Sequence, residues 1–248
     1  MSTPSVSRER HPHQRPEALI WPPLVISQGG AREEPPNHPL AAFESALREG
    51  AEGIVLDVEL SSDGVPVVTY DTPLRRKTAG CGGAMNAPSH IALLTHVLQW
   101  VRDQKCMAVV AINHPTPGAE VKILKAIAEA RVRHVTRVMA NDLTGLQRIR
   151  KLDAKVHVGL RFTCHPPALR DVKALGAEVL WPHWTSASPT FIACAHQAEM
   201  VVIPWTVDNP RQMRRTILDG ADGVITNYPA KLTQIVSGIQ EGLRVRAV

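Results

Sequence analysis

The sequence predicts an α/β fold, a (β/α)8 barrel of the TIM type. From Leu24 onward, short apolar runs alternate with amphipathic stretches, a pattern typical of βαβ units around a parallel sheet. A junction made of a helix stop, a small residue, an acid and a strand occurs at 50–54, 176–180 and 220–224. This repetition favours one barrel of similar units, and 248 residues suit a single barrel.

The elements of this barrel follow from apolar runs and from helix start and stop signals. The predicted strands are Leu24–Ser27, Gly53–Val58, Val65–Thr69, Met107–Ile112, Val135–Ala140, Val156–Arg161, Glu178–Trp181, Val201–Thr206 and Gly223–Thr226. We expect one of the second and third runs to be an extension, which leaves the eight strands of a barrel. The dipeptides at 38–39 and 209–210 are predicted to open helices that Gly50 and Gly220 close.

The chain is expected to form one domain. Residues 1–20 are rich in Ser, Pro, His and Arg and predict a disordered tail that lacks the apolar segment of an export signal. Residues 21–248 would form the barrel, with a small irregular insertion around 72–92. The missing export signal favours a cytoplasmic location, and the four widely separated cysteines are expected to be reduced thiols.

Charge and composition narrow the classes of partner. The net charge of +5 comes from Lys and Arg scattered along the chain, and aromatic residues make up only 4%. Nucleic-acid surfaces usually combine clustered basic residues with aromatic platforms, so we expect no nucleic-acid partner. No run approaches the roughly 18 apolar residues of a membrane helix, so no transmembrane segment is expected. A mild positive potential suits a small anionic ligand.

Two groups of motifs lie near the beginning and near the end of the sequence that is predicted to form the barrel. The first group is Val25–Arg32, Pro36–Phe43, Gly53–Val58 and Asp63–Asp71, and the second is Val202–Asp208 and Gly220–Pro229. In this order and spacing they resemble the glycerophosphodiester phosphodiesterases, which share a barrel with the phospholipase C-like phosphodiesterases. The resemblance implies an active site at the carboxyl ends of the strands, with two acid/base histidines and a divalent cation.

Both histidine positions implied by the resemblance are changed. The first follows the first strand, within a His-Arg-Gly triplet in the family, and is occupied by Gln28. The second belongs to a His-Asp pair after the third strand run and is occupied by Tyr70. Glutamine exchanges no proton near neutral pH, and tyrosine, with a reference pKa of about 10, is a poor proton shuttle. We therefore expect no catalytic residue by the family pattern.

The carboxylates implied by the resemblance are mostly replaced. The Glu-x-Asp of the second strand reads Val55-Leu56-Asp57, so Asp57 is the one retained ligand position. A later Glu-Ile-Lys reads Ala111-Ile112-Asn113, which removes a metal ligand and a phosphate-binding cation. Hard cations such as Mg²⁺ and Ca²⁺ take about six or more oxygen ligands. No cofactor is therefore expected, and Mg or Ca only if the site has been rebuilt.

Residues after other predicted strands are candidates for a changed site. A rebuilt acid/base or metal site would draw on His38, Asp57, Asp71 and His114. His165 and His183 also follow predicted strands, while a matching position on a helix, His196, is expected to serve packing. Eleven histidines in a chain of this size also place several in surface loops by chance.

A ligand pocket is predicted around Trp205, which matches a tryptophan that borders the substrate pocket in the resembled family. Arg32 and Arg161 are the nearest cations for an anion, although each also suits a solvated surface. Asp57 and Asp71 suit either a ligand contact or the capping of a loop. All these positions lie where barrel enzymes place their sites.

Three functions are compatible with these residues. The leading hypothesis is a pseudoenzyme, a barrel without the family mechanism that acts as a binding or scaffolding protein. The alternative is a divergent phosphoric diester hydrolase or lyase acting on glycerophosphodiesters or lipid-derived phosphodiesters, with a place in lipid metabolism. The third is a subunit of a larger assembly that docks a protein partner. The ligand, the oligomeric state and the biological role are not determined by the sequence.

Overall fold

A computed structural model describes residues 22–30, 39–69, 91–112 and 117–246. The strands in this part of the chain are β1 (Leu24–Gln28), β2 (Gly53–Leu60), β3 (Pro66–Thr69), β4 (Ile91–Leu93), β5 (Met107–Ile112), β6 (Thr136–Ala140), β7 (His157–Phe162), β8 (Val179–Pro182), β9 (Val201–Val202) and β10 (Gly223–Thr226). The helices are α1 (Pro39–Arg48), α2 (Leu94–Gln104), α3 (Ala119–Glu129), α4 (Leu143–Leu152), α5 (Leu169–Ala174), α6 (Pro189–Gln197), α7 (Pro210–Leu218) and α8 (Pro229–Arg246).

Parallel strands in the order β10-β1-β2-β5-β6-β7-β8-β9 form the barrel wall. The two ends of this order are joined by backbone hydrogen bonds, in which Asp222 N donates to Val202 O at 3.0 Å and Ile225 N donates to Pro204 O at 2.9 Å. The sheet therefore closes on itself, with helices outside it. The prediction of a TIM-type barrel is confirmed.

β3 lies outside the barrel wall, because it pairs antiparallel with β2. One of the second and third predicted runs is thus an extension, as expected. β4 continues this extension by pairing antiparallel with β3, and the sequence prediction missed it. β4 lies at the end of the predicted insertion around 72–92. Residues 70–90 and the predicted tail, 1–20, lie outside the described residues.

The predicted seventh barrel strand, Val201–Thr206, is too long. β9 ends at Val202, and beyond it one isolated bridge joins Trp205 to His183. Pro204 has no backbone N–H to donate, which interrupts regular pairing at this point.

Side chains alternate between two cores along the barrel strands. One core fills the barrel interior and comprises Ile26, Val55, Val109, Ala111, Met139, Val179, Trp181, Ile203 and Ile225. The other lies between the sheet and the surrounding helices and contains neighbours from the same strands, such as Val25, Ile54 and Val224. This alternation determines which side chains at the strand ends face the axis of the barrel.

The repeated junction has the predicted backbone conformation. Gly50, Gly176 and Gly220 have φ values of 94°, 74° and 105°, which residues other than glycine rarely adopt. Each glycine follows a helix and precedes a strand, so the left-handed turn that ends these helices is confirmed.

His196 lies at the amino-terminal end of the barrel and joins α6 to the sheet. Its Nε2 is 2.9 Å from Asp222 Oδ2, which also accepts a 2.7 Å hydrogen bond from Val202 N. The side chains of His196 and Asp222 are 6% and 1% exposed. His196 thus has a packing role, as expected.

No helix in the described part of the chain is long and apolar enough to cross a membrane.

Candidate ligand site at the barrel mouth

Polar side chains line the carboxyl ends of the barrel strands. These positions continue the inward-facing alternation of the strands, and we call them the mouth residues: Gln28, Asp57, Asn141, Arg161, His183, Trp205 and Asn227. The interior core lies directly beneath them. The site therefore has a polar rim and an apolar floor.

Gln28 and Asp57 are neighbours on one side of the mouth. Gln28 Nε2 donates to Asp57 Oδ2 at 3.4 Å, and Asp57 is 8% exposed. An amide N–H that donates to a carboxylate stabilises its charged form, but the amide has no proton to transfer. This pair can hold a ligand hydroxyl, and Gln28 cannot act as a histidine would in general acid/base catalysis.

Val55 and Ala111 belong to the apolar floor. They are 2% and 1% exposed, and the register places Ala111 directly beside Asp57. Carboxylates at these two positions would have lain next to Asp57, where together they could bind a divalent cation. The residues present offer no oxygen ligand from their side chains. Among the described residues, no three His, Cys, Asp or Glu side chains come close enough to hold a metal ion.

Arg161 and Asn141 form a second polar group on β7 and at the end of β6. Arg161 Nε donates to Asn141 Oδ1 at 2.9 Å, and Asn141 Nδ2 donates to Ile112 O at 3.1 Å. The guanidinium also lies 5.3 Å from the centre of the Trp205 ring, a cation–π distance. These contacts hold a positive charge at the rim.

Trp205 is held by both its backbone and its indole. Its Nε1 donates to Trp181 O at 2.9 Å, and its backbone N donates to Pro182 O at 3.0 Å. The His183 ring meets the indole edge to face at 5.4 Å. Trp205 therefore forms a fixed wall between the floor and the rim.

His183 is oriented by the residues that follow it. Its Nδ1 accepts a 3.4 Å hydrogen bond from Thr185 N and lies 2.7 Å from Thr185 Oγ1. Both contacts engage Nδ1, and they orient the ring at the rim.

Asn227 adds a buried amide to the rim beside Gln28. Its Nδ2 donates to Asp208 Oδ2 at 2.6 Å, and its backbone N donates to Asp208 Oδ1 at 2.9 Å. Since a carboxylate only accepts, these bonds fix the amide orientation. Asn227 is only 7% exposed, and its Oδ1 is buried with no hydrogen-bond partner among the described residues.

The structure brings together only part of the predicted site. Gln28, Asp57 and Trp205 lie at the mouth, with Arg161 and His183 beside Trp205. His165 is exposed in the loop after β7. The remaining predicted residues, Arg32, His38, Tyr70, Asp71 and His114, lie outside the described residues.

Sequence reasoning missed Asn141, Asp208 and Asn227. Each follows a strand directly or nearly so, a signal that could have selected them. Their contacts, however, depend on cross-strand register.

Comparison with known proteins agrees with this fold and these motifs. The sequence profile of the glycerophosphoryl diester phosphodiesterase family matches residues 29–137 and 83–231. The chain belongs to this family. The resemblance drawn from the motifs is confirmed.

Several family members match over most of their length. A glycerophosphodiester phosphodiesterase from Caldanaerobacter subterraneus subsp. tengcongensis is 29% identical over 86% of this chain and 97% of its own. One from Bacillus altitudinis is 24% identical over 85% of this chain and 97% of its own.

Solved structures share the fold at lower identity. A glycerophosphodiester phosphodiesterase from Parabacteroides distasonis superposes with a TM-score of 0.74 at 18% identity, covering 88% of this chain and 98% of that one. An Oleispira antarctica phosphodiesterase in complex with the product sn-glycerol-3-phosphate gives a TM-score of 0.72 at 20% identity, covering 87% and 97%.

Proposed function

We propose that this family member binds a small anionic phosphodiester, or the corresponding phosphomonoester, at the barrel mouth and does not hydrolyse it by the family mechanism. The observation that carries the proposal is the replacement of the reactive positions by Gln28, Val55 and Ala111. Gln28 donates to Asp57, while Val55 and Ala111 are buried in the apolar floor.

Chemistry supports binding without turnover. Hydrolysis of a phosphodiester requires a proton to leave the attacking water and another to reach the departing oxygen. Gln28 supplies neither transfer, and Tyr70 is a poor substitute for histidine at neutral pH. Removing one acid/base group slows a reaction roughly a hundredfold or more. Here both histidine positions and the carboxylate positions at Val55 and Ala111 are changed, so the expected loss of rate is larger than for any single substitution.

The features needed for binding remain at the mouth. Trp205 is fixed by Trp181 O, Arg161 supplies a cation, and Asp57 and Gln28 supply an acceptor and a donor. A family structure at low identity, the Oleispira antarctica enzyme, was solved with sn-glycerol-3-phosphate, which supports a ligand of this size and charge for the barrel type.

The test combines a turnover assay with a binding assay. The full chain is incubated with glycerophosphodiesters and Mg²⁺ or Ca²⁺, and ³¹P NMR follows conversion of the diester to a phosphomonoester. We expect no conversion above the protein-free control and saturable binding of sn-glycerol-3-phosphate by calorimetry. Binding should weaken in Trp205→Ala, which removes the pocket wall.

The rival enzyme hypothesis predicts a different result from the same assay. A rebuilt site of His38, Asp57, Asp71 and His114 would add water across a P–O bond and release an alcohol and a phosphomonoester. Conversion that Asp57→Ala abolishes would overturn the proposal. Asp103→Ala is the matched control, because the Asp103 side chain on α2 is 67% exposed and lies away from the mouth strands.

Co-purification with another chain, detected by size-exclusion mass, would favour the scaffolding form of the hypothesis.

A cytoplasmic location stays a prediction, which fractionation of the source cells would test.

A further inference from the structure

We propose that the half of the mouth built by β6, β7, β8 and β9 is the anion-binding half, with Arg161 as the residue that contacts the phosphate. This inference rests on the proposed function and specifies where the anionic group lies. The family motifs do not include Arg161, because the cations that they place at phosphate follow β1, in the His-Arg-Gly triplet, and β5, in the Glu-Ile-Lys motif.

Arg161 lies across the barrel from the first of these two motif positions. In the closed strand order, β7 is separated from β1 by four steps in either direction. Gln28 ends β1 and Arg161 lies on β7, both at inward-facing positions of the mouth. The cation of Arg161 therefore approaches a mouth ligand from the side opposite to the His-Arg-Gly position and from two strands beyond the Glu-Ile-Lys position.

The guanidinium of Arg161 is held before any ligand arrives. Asn141 accepts from its Nε at 2.9 Å, and Asn141 is itself fixed because its Nδ2 donates to Ile112 O at 3.1 Å. The Trp205 ring lies under the guanidinium at 5.3 Å. A planar fork of N–H donors held in this way matches phosphate oxygens, and less rotamer freedom is lost on binding.

The neighbouring groups favour an anion on this side. His183 contacts the same indole at 5.4 Å, and Thr185 holds the ring in place through Nδ1. Asp57, the carboxylate among the mouth residues, lies on β2, three strands from β7 along the wall. The apolar floor lowers the local dielectric constant, which strengthens a charge-assisted hydrogen bond at the rim. An anionic end of the ligand thus fits β7 and a hydroxyl-bearing end fits Asp57.

Calorimetry on the full chain tests the assignment with sn-glycerol-3-phosphate, inorganic phosphate and uncharged glycerol as probes. We expect both phosphates to bind and glycerol not to bind measurably. Arg161→Gln should weaken both phosphates by tenfold or more. Arg161→Lys should have an intermediate effect, because it keeps the charge and loses the planar fork. The matched control, Arg170→Gln, removes a side chain that is 90% exposed on α5 and should bind as wild type does.

Each outcome separates this inference from the proposed function. If the wild-type chain binds the phosphates and Arg161→Gln binds them equally well, the anion lies elsewhere and the assignment is wrong, while the proposed binding function stands. If the wild-type chain binds none of the probes, the proposed function fails and the assignment fails with it. Should Arg161→Gln fold poorly, Asn141→Ala provides the second variant, because it releases Arg161 and should weaken phosphate about threefold or more. If Asn141→Ala binds phosphate with unchanged affinity, the result would also contradict the claim that Asn141 orients the Arg161 guanidinium before the ligand binds.

Discussion

Gly159→Ala tests the link between the barrel interior and the wall of the site. A β-carbon added at Gly159 would lie 2.5 Å and 2.9 Å from ring carbons of Trp181 and would also clash with Val179 O. Ordinary carbon contacts begin at about 3.5 Å, so the ring would have to move by about 1 Å. Trp181 is fully buried in the interior core, where other side chains surround its ring.

The expected loss of stability follows from this overlap. Overpacking a well-filled core costs about 1–3 kcal/mol, and a rigid indole against backbone belongs at the upper end. The lower entropy of the unfolded chain on replacing glycine by alanine offsets about 0.4–1 kcal/mol. The net loss is about 2 kcal/mol, which lowers Tm by about 4–8 °C in a chain of this size.

Thermal and urea unfolding, followed by circular dichroism, measure this loss. The control is Gly238→Ala on α8, where an added β-carbon meets no atom within 4 Å. Alanine is favoured over glycine inside a helix by about 0.5–1 kcal/mol, so the control should raise Tm by about 1–3 °C. If Gly159→Ala melts within a degree of wild type while the control behaves as expected, the packing argument is wrong.

Because Trp181 O accepts from Trp205 Nε1, the same displacement should reach the mouth. We expect Gly159→Ala to weaken ligand binding as well as stability. A destabilised variant with unchanged affinity would show that the wall does not depend on this contact.

Two further measurements test the pKa assignments. Burial raises the pKa of the Asp153 carboxyl, but hydrogen bonds and the charge of Arg133, which lies 2.7 Å away, outweigh it and the pKa is lowered. This pair therefore stabilises the folded state at pH values above the usual carboxyl pKa of about 3.9, and the contribution disappears as the pH falls through the lower folded pKa. In urea unfolding, Asp153→Asn should be less stable than wild type at pH 7, and the difference should shrink at pH 3. A difference that is the same at both pH values would contradict the lowered pKa. Burial raises the pKa of the Cys106 thiol to about 11, so thiol reagents at pH 8 should label the exposed Cys164 and Cys194 of the native protein first; equal labelling rates would show that Cys106 is accessible.

Much of the fold could be predicted from local sequence, because its signals are local. Gly50 and Gly220 end helices through a backbone conformation that depends on one residue. The apolar run Met107–Ile112 matches β5 at both ends. The predicted strand beginning at Val201 ran too far, because it overlooked the effect of Pro204 on pairing.

The site was harder to predict because its contacts cross between strands. Trp205 was selected by resemblance, and its position beside Arg161 depends on the pairing of β7, β8 and β9. Asn141 and Asn227 carry no local signal beyond their place after a strand. The orientation that buries the amide oxygen of Asn227 is set by Asp208, which lies on a different loop.

The apolar floor under the mouth also affects how such a protein can change over time. Several carboxylates gathered at one buried place repel one another and are costly to desolvate without a cation. Val55 and Ala111 impose no such strain on the barrel, so its stability does not depend on a cation at these positions. Substitutions at the rim can therefore accumulate while the fold persists, and a barrel of this kind is a suitable starting point for a new specificity.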